Sequence, residues 1–580
     1  MTVFSVWAPD ESRVRLRLAT SDLVMELDPS RSGWWVRDVP TAGPGTDYAF
    51  LLGDDDHPLP DPRSAWQPAG VHGFSRVYDQ SAYAWGDGAW TGRQLPGAVL
   101  YELHVGTFTP EGTFDAAIER LDHLVRLGVD LVELLPVNAF NGDHNWGYDG
   151  VCWFAPHEAY GGPDGLKRLV DACHQRGLGV VLDVVYNHFG PSGAYAPRFG
   201  PYLSEGPGNP WGASVNLDGP RSGEVRAYVV DSVLGWLRDY HVDGLRLDAV
   251  HALVDRGAVH LLEELAVAVD GLSTHLGRPL SLVAESDLND PKLITPREAG
   301  GYGLTGQWDD DAHHALHTVL TGERQGYYAD FGSLQTLSDV LTGAFFHTGT
   351  WSSFRQRVHG RPVDRTRIPG YRFVAYLQNH DQIGNRAVGD RLTASVSPGL
   401  LRVGAVLLFT APFTPMLFMG EEWGATTPWQ FFTSHPEPEL AAAVAGGRRR
   451  EFAAHGWPEE DVPDPQDPQT YLRSRLDWAQ LDKPEHAATL DFYRRLIALR
   501  KTHTDLSAPG LDKVEVTHGD QFLVMRRGAV AVAANLAPKS QRVTLPGIIR
   551  TVLLATETAT TVMRDGVQLP AESAIVVALA

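Results

Sequence analysis

The sequence feature that most constrains the fold is a regular alternation of two kinds of segment, which begins near residue 98. Short apolar runs typical of buried strands are followed by segments with apolar residues at the helical period, such as Phe114, Ile118, Leu121 and Val125. Repeated strand–helix units predict a parallel sheet, and eight such strands favour a closed (β/α)8 TIM barrel over an open sheet. The predicted strands are 99–104, 129–135, 179–188, 242–248, 280–285, 304–308, 373–381 and 415–421.

The regions on either side of this alternation have a different sequence pattern. Residues 1–90 contain short apolar runs separated by Gly, Pro and Asp, which predicts an N-terminal immunoglobulin-like β-sandwich of the carbohydrate-binding kind. Residues 91–508 hold the predicted barrel, and 509–580 return to short alternating runs, which predicts a small C-terminal β-domain. Two segments, 138–165 and 423–477, are too long for simple connections, so we expect them to contribute to a binding surface.

Composition excludes several classes of partner. The chain has 71 acidic and 49 basic residues and a net charge of -22, which repels nucleic acids and anionic membrane surfaces. Cys152 and Cys173 have no histidine partners at zinc spacing, and the acidic runs 54–56 and 309–311 lack the alternating ligands of a calcium loop. We therefore predict neither a metal nor a cofactor. The chain has no signal-like start and no run approaching a membrane span, which predicts a cytoplasmic protein.

Three acidic residues, Asp248, Glu285 and Asp381, stand at the predicted carboxyl ends of barrel strands, and such ends converge on one cleft. Cleavage of a glycosidic bond with retention needs one ionised and one protonated carboxyl group. Arg246 precedes Asp248 by two residues and shares its face of the strand, which favours an ionised Asp248 as the nucleophile. The apolar run before Glu285 favours the protonated form that a general acid requires.

Further polar residues occur at the same strand ends. His188 and His380 could hold sugar hydroxyls beside the reacting carbon, although a single histidine at such a position is more often a packed structural residue. Asp183 lies in the middle of its motif, and we expect it to be a structural charge partner of Arg246 rather than a catalytic group.

Four short segments match, in order, the motifs of the α-amylase family of glycoside hydrolases, so the chain resembles that family. The four segments are 183–188, 244–248, 283–285 and 378–381. The resemblance implies that Asp248 is the nucleophile and Glu285 the proton donor. It also implies that Asp381 binds the sugar and stabilises its distorted transition state.

Within this family, the chain most resembles the hydrolases that release trehalose, over its whole length. The segments that carry this finer resemblance are 60–73, 307–314, 379–386, 419–428 and 431–435. The resemblance implies that Tyr148 stacks on the sugar at the cleavage site. It also implies further substrate contacts from Arg246, His251, Asp309, His313, His380 and Asn385.

The implied reaction is hydrolysis of the α-1,4 bond that joins a malto-oligosaccharide to a terminal trehalose. A synthase that makes maltooligosyltrehalose is then the expected pathway partner. The residues themselves leave two other functions open. A glycogen branching enzyme uses the same barrel but transfers to a glucan hydroxyl, and a non-catalytic glucan-binding protein would be expected to lack one of the three carboxylates. We expect loops 138–165, 307–330 and 423–435 to recognise the trehalose end.

Overall fold

The centre of the protein is a closed barrel of eight parallel strands, each paired with the next along the chain and the last with the first. A computed structural model describes residues 2–19, 21–206, 208–454 and 461–580. The barrel prediction is confirmed, and every predicted strand contributes to the barrel, although most are shorter than expected. The strands are Leu100–Leu103, Leu131–Leu134, Gly179–Val184, Gly244–Leu247, Ser281–Ala284, Gly306–Trp308, Phe373–Tyr376 and Thr414–Phe418.

Helices follow most of the barrel strands and cover the outside of the barrel. The predicted helical run near residue 114 is wrong in one respect, because the chain forms two helices, Phe114–Ile118 and Leu121–Leu127. The break rotates the second helix so that Leu124, rather than Val125, faces the core, and Val125 is 41% exposed. The other α-helices are Val105–Phe108, Gly162–Gln175, Ala196–Phe199, Ser222–Asp239, Leu261–Leu276, Asp310–Thr321, Leu334–Gly343, His380–Gly384, Pro398–Thr410, Pro438–Ala454, Pro468–Arg473, Pro484–Thr502 and Thr504–Ser507.

The two long inserted segments contain more regular structure than the sequence indicated. In segment 138–165, strands Asn138–Ala139 and Cys152–Pro156 form an antiparallel pair. Segment 423–477 contains two of the helices given above, and its residues 455–460 lie outside the described residues. A hairpin of strands Thr350–Ser352 and Arg357–His359 precedes the seventh barrel strand.

Two small antiparallel sheets form the N-terminal region. One sheet has three strands, Thr2–Trp7, Trp34–Val39 and Glu26–Leu27. The other has four strands, Ser21–Val24, Val14–Leu18, Asp47–Leu52 and Ser75–Arg76. The rings of Phe4 and Tyr48, one from each sheet, meet edge to face at 4.8 Å, so apolar side chains connect the two sheets.

The C-terminal region consists of two further antiparallel sheets around a small apolar core. The five-stranded sheet contains Val514–His518, Phe522–Arg527, Val530–Asn535, Ser573–Leu579 and Ile549–Ala555. The three-stranded sheet contains Gln541–Thr544, Gly566–Leu569 and Thr561–Met563. The C-terminal sheet region predicted from the alternating runs is therefore present.

Buried Arg527 connects this region to the barrel, and Arg500 of helix Pro484–Thr502 binds at the same place. The last carbonyl groups of a helix have no partner within the helix and carry partial negative charge. Arg500 donates to the carbonyl oxygens of Phe409 at 2.8 Å and Ala411 at 2.9 Å, at the end of helix Pro398–Thr410. Arg527, on a C-terminal strand, donates to the same Ala411 oxygen at 2.9 Å. The two guanidinium groups thus satisfy the end of a barrel helix from the C-terminal side.

Within the described ranges, no helix is long and apolar enough to cross a membrane. Across those same ranges, no group of three or more His, Cys, Asp or Glu side chains is arranged to hold a metal ion. Cys152 and Cys173 are both buried thiols.

The arginine connection predicts an unequal effect of two neighbouring substitutions. Arg527→Met removes donors from buried carbonyl oxygens, so we expect the free energy of unfolding to fall by at least about 2 kcal/mol. Arg526→Met is the matched control, because the Arg526 side chain is 41% exposed, and the substitution is expected to change stability by less than about 0.5 kcal/mol. Denaturant unfolding of the two variants measures the difference, and equal losses would contradict the role given to Arg527.

Candidate active site

The inside of the barrel is divided into an apolar layer and a charged layer. Alternate residues of a strand point to the same face, so each inward position is followed by another two residues later. The apolar layer closes the amino end of the barrel and is formed mainly by Leu100, Leu131, Val181, Val283, Val374 and Met416. Two residues further along four strands lie the buried side chains of Glu102, Glu133, Asp183 and Arg246. Chemistry is therefore restricted to the carboxyl side of the strands.

Arg246 is the centre of the charged layer and has no exposed surface. Its Nη1 donates to both carboxylate oxygens of Asp183 at 2.9 Å and to Oδ1 of Asp248 at 2.7 Å. Its Nη2 lies 3.7 Å from Oε2 of Glu285. The predicted pairing of Arg246 with Asp183 and Asp248 is confirmed. Because one guanidinium contacts Asp248 and Glu285, these two carboxyl groups are held close together.

Asp248 and Glu285 have different surroundings although they share this arginine. The Asn187 side-chain amide donates to Oδ2 of Asp248 at 2.9 Å, a contact that stabilises a carboxylate. Oε2 of Glu285 accepts from the backbone N–H of Ala249 at 2.6 Å. Burial raises the pKa of Glu285 to about 8, and the nearby charges of Asp248, Asp310 and Asp381 act in the same direction against Arg246. Glu285 is thus protonated at neutral pH.

Ala249 connects the two carboxyl groups through an uncommon backbone conformation. Its φ of 40° lies in the left-handed region, which costs a residue with a side chain roughly 1–2 kcal/mol. This conformation turns the chain sharply after Asp248 and directs the Ala249 N–H toward Glu285. Strain of this kind persists where the surrounding structure holds the residue in place.

Asp381 lies on a different element from the one predicted. The seventh barrel strand ends at Tyr376, and Asp381 is in the first turn of the short helix His380–Gly384. Its side chain is 42% exposed, and its Oδ2 lies 3.4 Å from Nε2 of His380. Asn385 donates to the other oxygen of Asp381 at 3.4 Å and accepts from Arg448 at 3.0 Å. The helix therefore presents a solvent-accessible carboxylate beside the two inner ones.

Tyr148 and His188 complete the inner wall of the cleft. The ring of Tyr148 stacks on that of His380 at 5.2 Å, and its hydroxyl donates to Asp183 at 2.6 Å. Nε2 of His188 lies 3.1 Å from the carbonyl oxygen of Tyr148. The other side of His188 stacks on Trp211 at 6.2 Å. These residues are brought together as expected from the sequence, although their individual roles stay predictions.

His251 occupies the opposite side of Trp211. It belongs to the 3-10 turn Val250–Ala252 that follows Asp248, and its Nδ1 lies 3.9 Å from Oδ1 of Asp287. Its ring meets that of Trp211 edge to face at 6.2 Å. The structure thus places His251 on the rim of the cleft, close to the loop that follows Glu285.

Asp309 and His313, which the resemblance implies as substrate contacts, are buried among protein groups, and their contact with substrate stays a prediction. Asp309 has no exposed surface and caps helix Asp310–Thr321, accepting from the N–H of Ala312 at 3.1 Å. His313 is also buried, and its Nε2 pairs with the hydroxyl of Tyr328 at 2.9 Å. Trp308, one position before Asp309, faces the barrel interior and packs on Arg246, so alternation along the strand places Asp309 on the other face.

Asp310 is the acid of this segment that faces the catalytic groups. It accepts a hydrogen bond from the hydroxyl of Tyr376. Burial raises its pKa to about 6, and the charges of Asp381 and Asp287 contribute to the increase. The alternation of side chains beyond Trp308 is the sequence signal that selects Asp310 over Asp309.

The sequence also gave no indication of the aromatic rim beside Glu285. Trp211 and Phe354 are large side chains that are 50% and 47% exposed. Phe354 lies in the hairpin between Thr350–Ser352 and Arg357–His359, and the neighbouring Arg355 donates to Oδ2 of Asp287 at 2.9 Å. The exposed rings of Trp211 and Phe354 can pack against the apolar faces of sugar rings.

Comparisons with known proteins agree with this geometry. The family description "Alpha amylase, catalytic domain" matches residues 76–198, and a domain family of unknown function, DUF3459, matches 509–576. The chain is 56% identical to a malto-oligosyltrehalose trehalohydrolase from Rhizobium sp. (strain M-11), covering 99% of this chain and 97% of that protein. It is 59% identical to the protein of the same name from Arthrobacter ramosus, covering 92% and 93% of the two chains.

A solved structure has the same architecture. The crystal structure of a protein from Salmonella typhimurium, provisionally assigned as an alpha amylase, superimposes with a TM-score of 0.91. The two chains are 39% identical, and the match covers 99% of this chain and 97% of the other.

The placement of Asp309 and Asp310 predicts that substitutions at these two neighbours have opposite signatures. Asp310→Ala is expected to lower turnover of an α-glucan substrate at least about tenfold, because the side chain lies beside Glu285 and Asp381. Asp309→Ala is expected to cost about 1 kcal/mol of stability through the lost helix cap, with a smaller effect on turnover. Steady-state kinetics and thermal unfolding of both variants test this assignment, and a larger kinetic loss in Asp309→Ala would restore the original prediction.

Proposed function

The chain belongs to the malto-oligosyltrehalose trehalohydrolases of the α-amylase family, and from this premise we propose that it releases free trehalose from malto-oligosaccharides that end in trehalose. It is a glycoside hydrolase, and its substrates are α-glucan oligosaccharides. The reaction breaks the α-1,4 bond next to the terminal trehalose. We propose that a synthase that makes this trehalose end supplies the substrate, and that both enzymes are cytoplasmic.

The proposed reaction is a double displacement. An oxygen of Asp248 attacks the anomeric carbon while Glu285 gives its proton to the glycosidic oxygen, so that bond breaks and trehalose leaves. In the second step, ionised Glu285 removes a proton from water, and the water oxygen attacks the same carbon. The malto-oligosaccharide is released, Asp248 is free again, and Glu285 has regained its proton.

The observation that carries this proposal is the unequal environment of two carboxyl groups around one guanidinium. Arg246 donates to Asp248 at 2.7 Å, whereas it lies 3.7 Å from Glu285. Burial keeps Glu285 protonated at neutral pH, because it raises the pKa of this group to about 8. A carboxyl pair held in two protonation states is the arrangement expected of an acid and a nucleophile.

The sugar ring that reacts is proposed to lie against Tyr148, with Asp381 stabilising the developing positive charge. The exposed carboxylate of Asp381 and the buried His380 beside it are 3.4 Å apart. Arg246 and His188 are proposed to hold this subsite in shape, and Asn385 to orient Asp381. His251 is proposed to contact the sugar on the other side of the scissile bond.

The trehalose end is proposed to bind on the hairpin side of the cleft. A general acid must face the leaving group, so the segment after Glu285 borders the leaving-group site. Asp287 in that segment is held by Arg355 of the hairpin, next to exposed Phe354. Of the three loops expected to recognise trehalose, 307–330 consists largely of helix Asp310–Thr321. Its remaining part contributes Tyr327, whose ring contacts Phe354 at 5.9 Å.

The domain assignment is also part of the proposal. We propose that the two N-terminal sheets form an immunoglobulin-like sandwich within residues 1–90 and that it is of the carbohydrate-binding kind. The catalytic barrel would then occupy 91–508 and the C-terminal β-domain 509–580. Support comes from the apolar contact between the N-terminal sheets and from the two sheets that form the C-terminal region.

Product analysis tests the proposed function directly. With maltotriosyltrehalose, the protein is expected to produce free trehalose and maltotriose, with slower attack on plain amylose. Chromatography identifies the products, and an assay for α-1,6 links detects branching. New branches on amylose without trehalose release would identify a branching enzyme. Binding without turnover would identify a glucan-binding protein.

The hairpin assignment predicts a selective loss of affinity. Phe354→Ala is expected to raise KM for maltotriosyltrehalose about fivefold, corresponding to about 1 kcal/mol of lost ring contact. Val358→Ala is the matched control, because Val358 is exposed on the same hairpin and carries no aromatic ring. Comparison of KM for maltotriosyltrehalose and for a linear maltodextrin measures selectivity. Equal changes for both substrates would place trehalose recognition elsewhere.

A further inference from the structure

The buried carboxylate of Glu102, inside the barrel, forms hydrogen bonds with His380. Nδ1 of His380 lies 2.6 Å from Oε1 of Glu102, and its backbone N–H donates to Oε2 of Glu102 at 3.0 Å. Both side chains are 1% exposed. Glu102 is on the first barrel strand and His380 on the helix after the seventh, so the contact connects distant parts of the sequence.

The other nitrogen of His380 continues the chain of hydrogen bonds. Nε2 lies 2.7 Å from the hydroxyl of Tyr148, and that hydroxyl donates its proton to Asp183 at 2.6 Å. Asp183 also accepts from Arg246 at both of its oxygens. A hydroxyl has one proton, so the Tyr148 oxygen must accept from Nε2–H. A carboxylate only accepts, so Nδ1 must also carry a proton. With Glu102 and Asp183 ionised, this arrangement of partners is that of a doubly protonated imidazolium.

We infer that Glu102 is a positioning residue, which holds His380 as a cation and thereby fixes Tyr148 and the charge of Asp381 at the reacting sugar. This inference rests on the proposed function for the roles of Tyr148 and Asp381. Glu102 lies beneath His380 and has no direct contact with the cleft. It acts through the imidazolium, whose Nε2 is near both the Tyr148 hydroxyl and, at 3.4 Å, Oδ2 of Asp381.

The other charged groups around His380 favour the same protonation state. Burial by itself would lower the pKa of His380, but Asp381 and Glu102 overcome this effect and raise it to about 9. Arg246 opposes them. Burial also raises the pKa of Asp183 to about 6, so above that pH Asp183 is the carboxylate that Tyr148 needs. The titratable groups that face His380 are Glu102, His104, Glu133, Tyr148, Asp183, Arg246 and Asp381.

The barrel supplies a matched control for Glu102. Glu133 lies directly opposite Glu102 in the pairing of the first two strands and is equally buried. Among the described residues, neither of its carboxyl oxygens has a hydrogen-bond partner. Burial raises the pKa of Glu133 well above its ordinary value. Glu133→Gln therefore changes an equally buried carboxyl group that makes no hydrogen bond to His380. Glu102→Gln instead removes a charge from His380.

The test is the pH dependence of hydrolysis of maltotriosyltrehalose by the wild type, Glu102→Gln, Glu102→Asp and Glu133→Gln, with thermal unfolding of each. Loss of the Glu285 proton, whose pKa is about 8, sets the alkaline limit of the wild type and of Glu133→Gln. In Glu102→Gln, the loss of the neighbouring negative charge is expected to lower the pKa of His380 from about 9 to below that of Glu285. His380 then sets the alkaline limb of kcat, which is expected to move down by about one to two pH units. Glu102→Asp keeps the charge and is expected to restore the limb in part.

Two results would overturn the inference. One is an unchanged pH profile in Glu102→Gln, and the other is an equal loss of kcat at every pH, which indicates a structural role only. A second measurement is independent of substrate: 15N NMR of histidine-labelled protein, with the His380 signal identified by its loss in His380→Gln. At about pH 7, both ring nitrogens are expected to be protonated in the wild type. A neutral His380 would refute the inference, whereas failure of the wild type to release trehalose would refute only the proposed function.

Discussion

The burial of the Arg246 guanidinium is the constraint on which the rest of the active site depends. A fully buried cation is stable only when anions and hydrogen-bond acceptors surround it, because desolvation is costly. Asp183 and Asp248 supply this environment from the third and fourth strands, and both accept from the same Nη1. Removal of either carboxylate would leave a buried charge with too few partners. The positions of the catalytic groups and the stability of the barrel interior are therefore linked.

This central charge also orders the groups around it. Asp183 is shared between Arg246 and the hydroxyl of Tyr148, so the ring proposed to contact the sugar is held by the same network. Glu285 stays at a greater distance and receives its closest contact from the backbone of Ala249. Burial of Glu285, together with its greater distance from the cation, gives the two neighbouring carboxyl groups different chemistry. The barrel fixes the positions of the carboxyl groups. Exposed loops such as the hairpin supply contacts that can differ between substrates.

The barrel could be predicted from the sequence because a buried parallel strand and its covering helix leave separate periodic signals. The three carboxylates proposed as catalytic could be selected from the sequence because each follows an apolar run or lies in a family motif. The finer resemblance named Asp309, whereas the inward direction of Trp308 and the alternation beyond it indicate the adjacent acid, Asp310. The contact between Glu102 and His380 and the exposure of Phe354 depend on how distant segments meet. No local pattern records these features.

The pairing that closes the barrel has a consequence for how the protein is made. Strand Thr414–Phe418 pairs with Leu100–Leu103 and closes the barrel. More than half of the chain must therefore be synthesised before the first strand is paired on both of its edges. Until then, two strand edges are open, and such edges favour pairing with other chains. The carbonyl groups at the end of helix Pro398–Thr410 lack their partners for longer still, until Arg500 and Arg527 have left the ribosome. The yield of folded protein therefore depends on how long these strand edges stay open during synthesis, and not only on the stability of the finished fold.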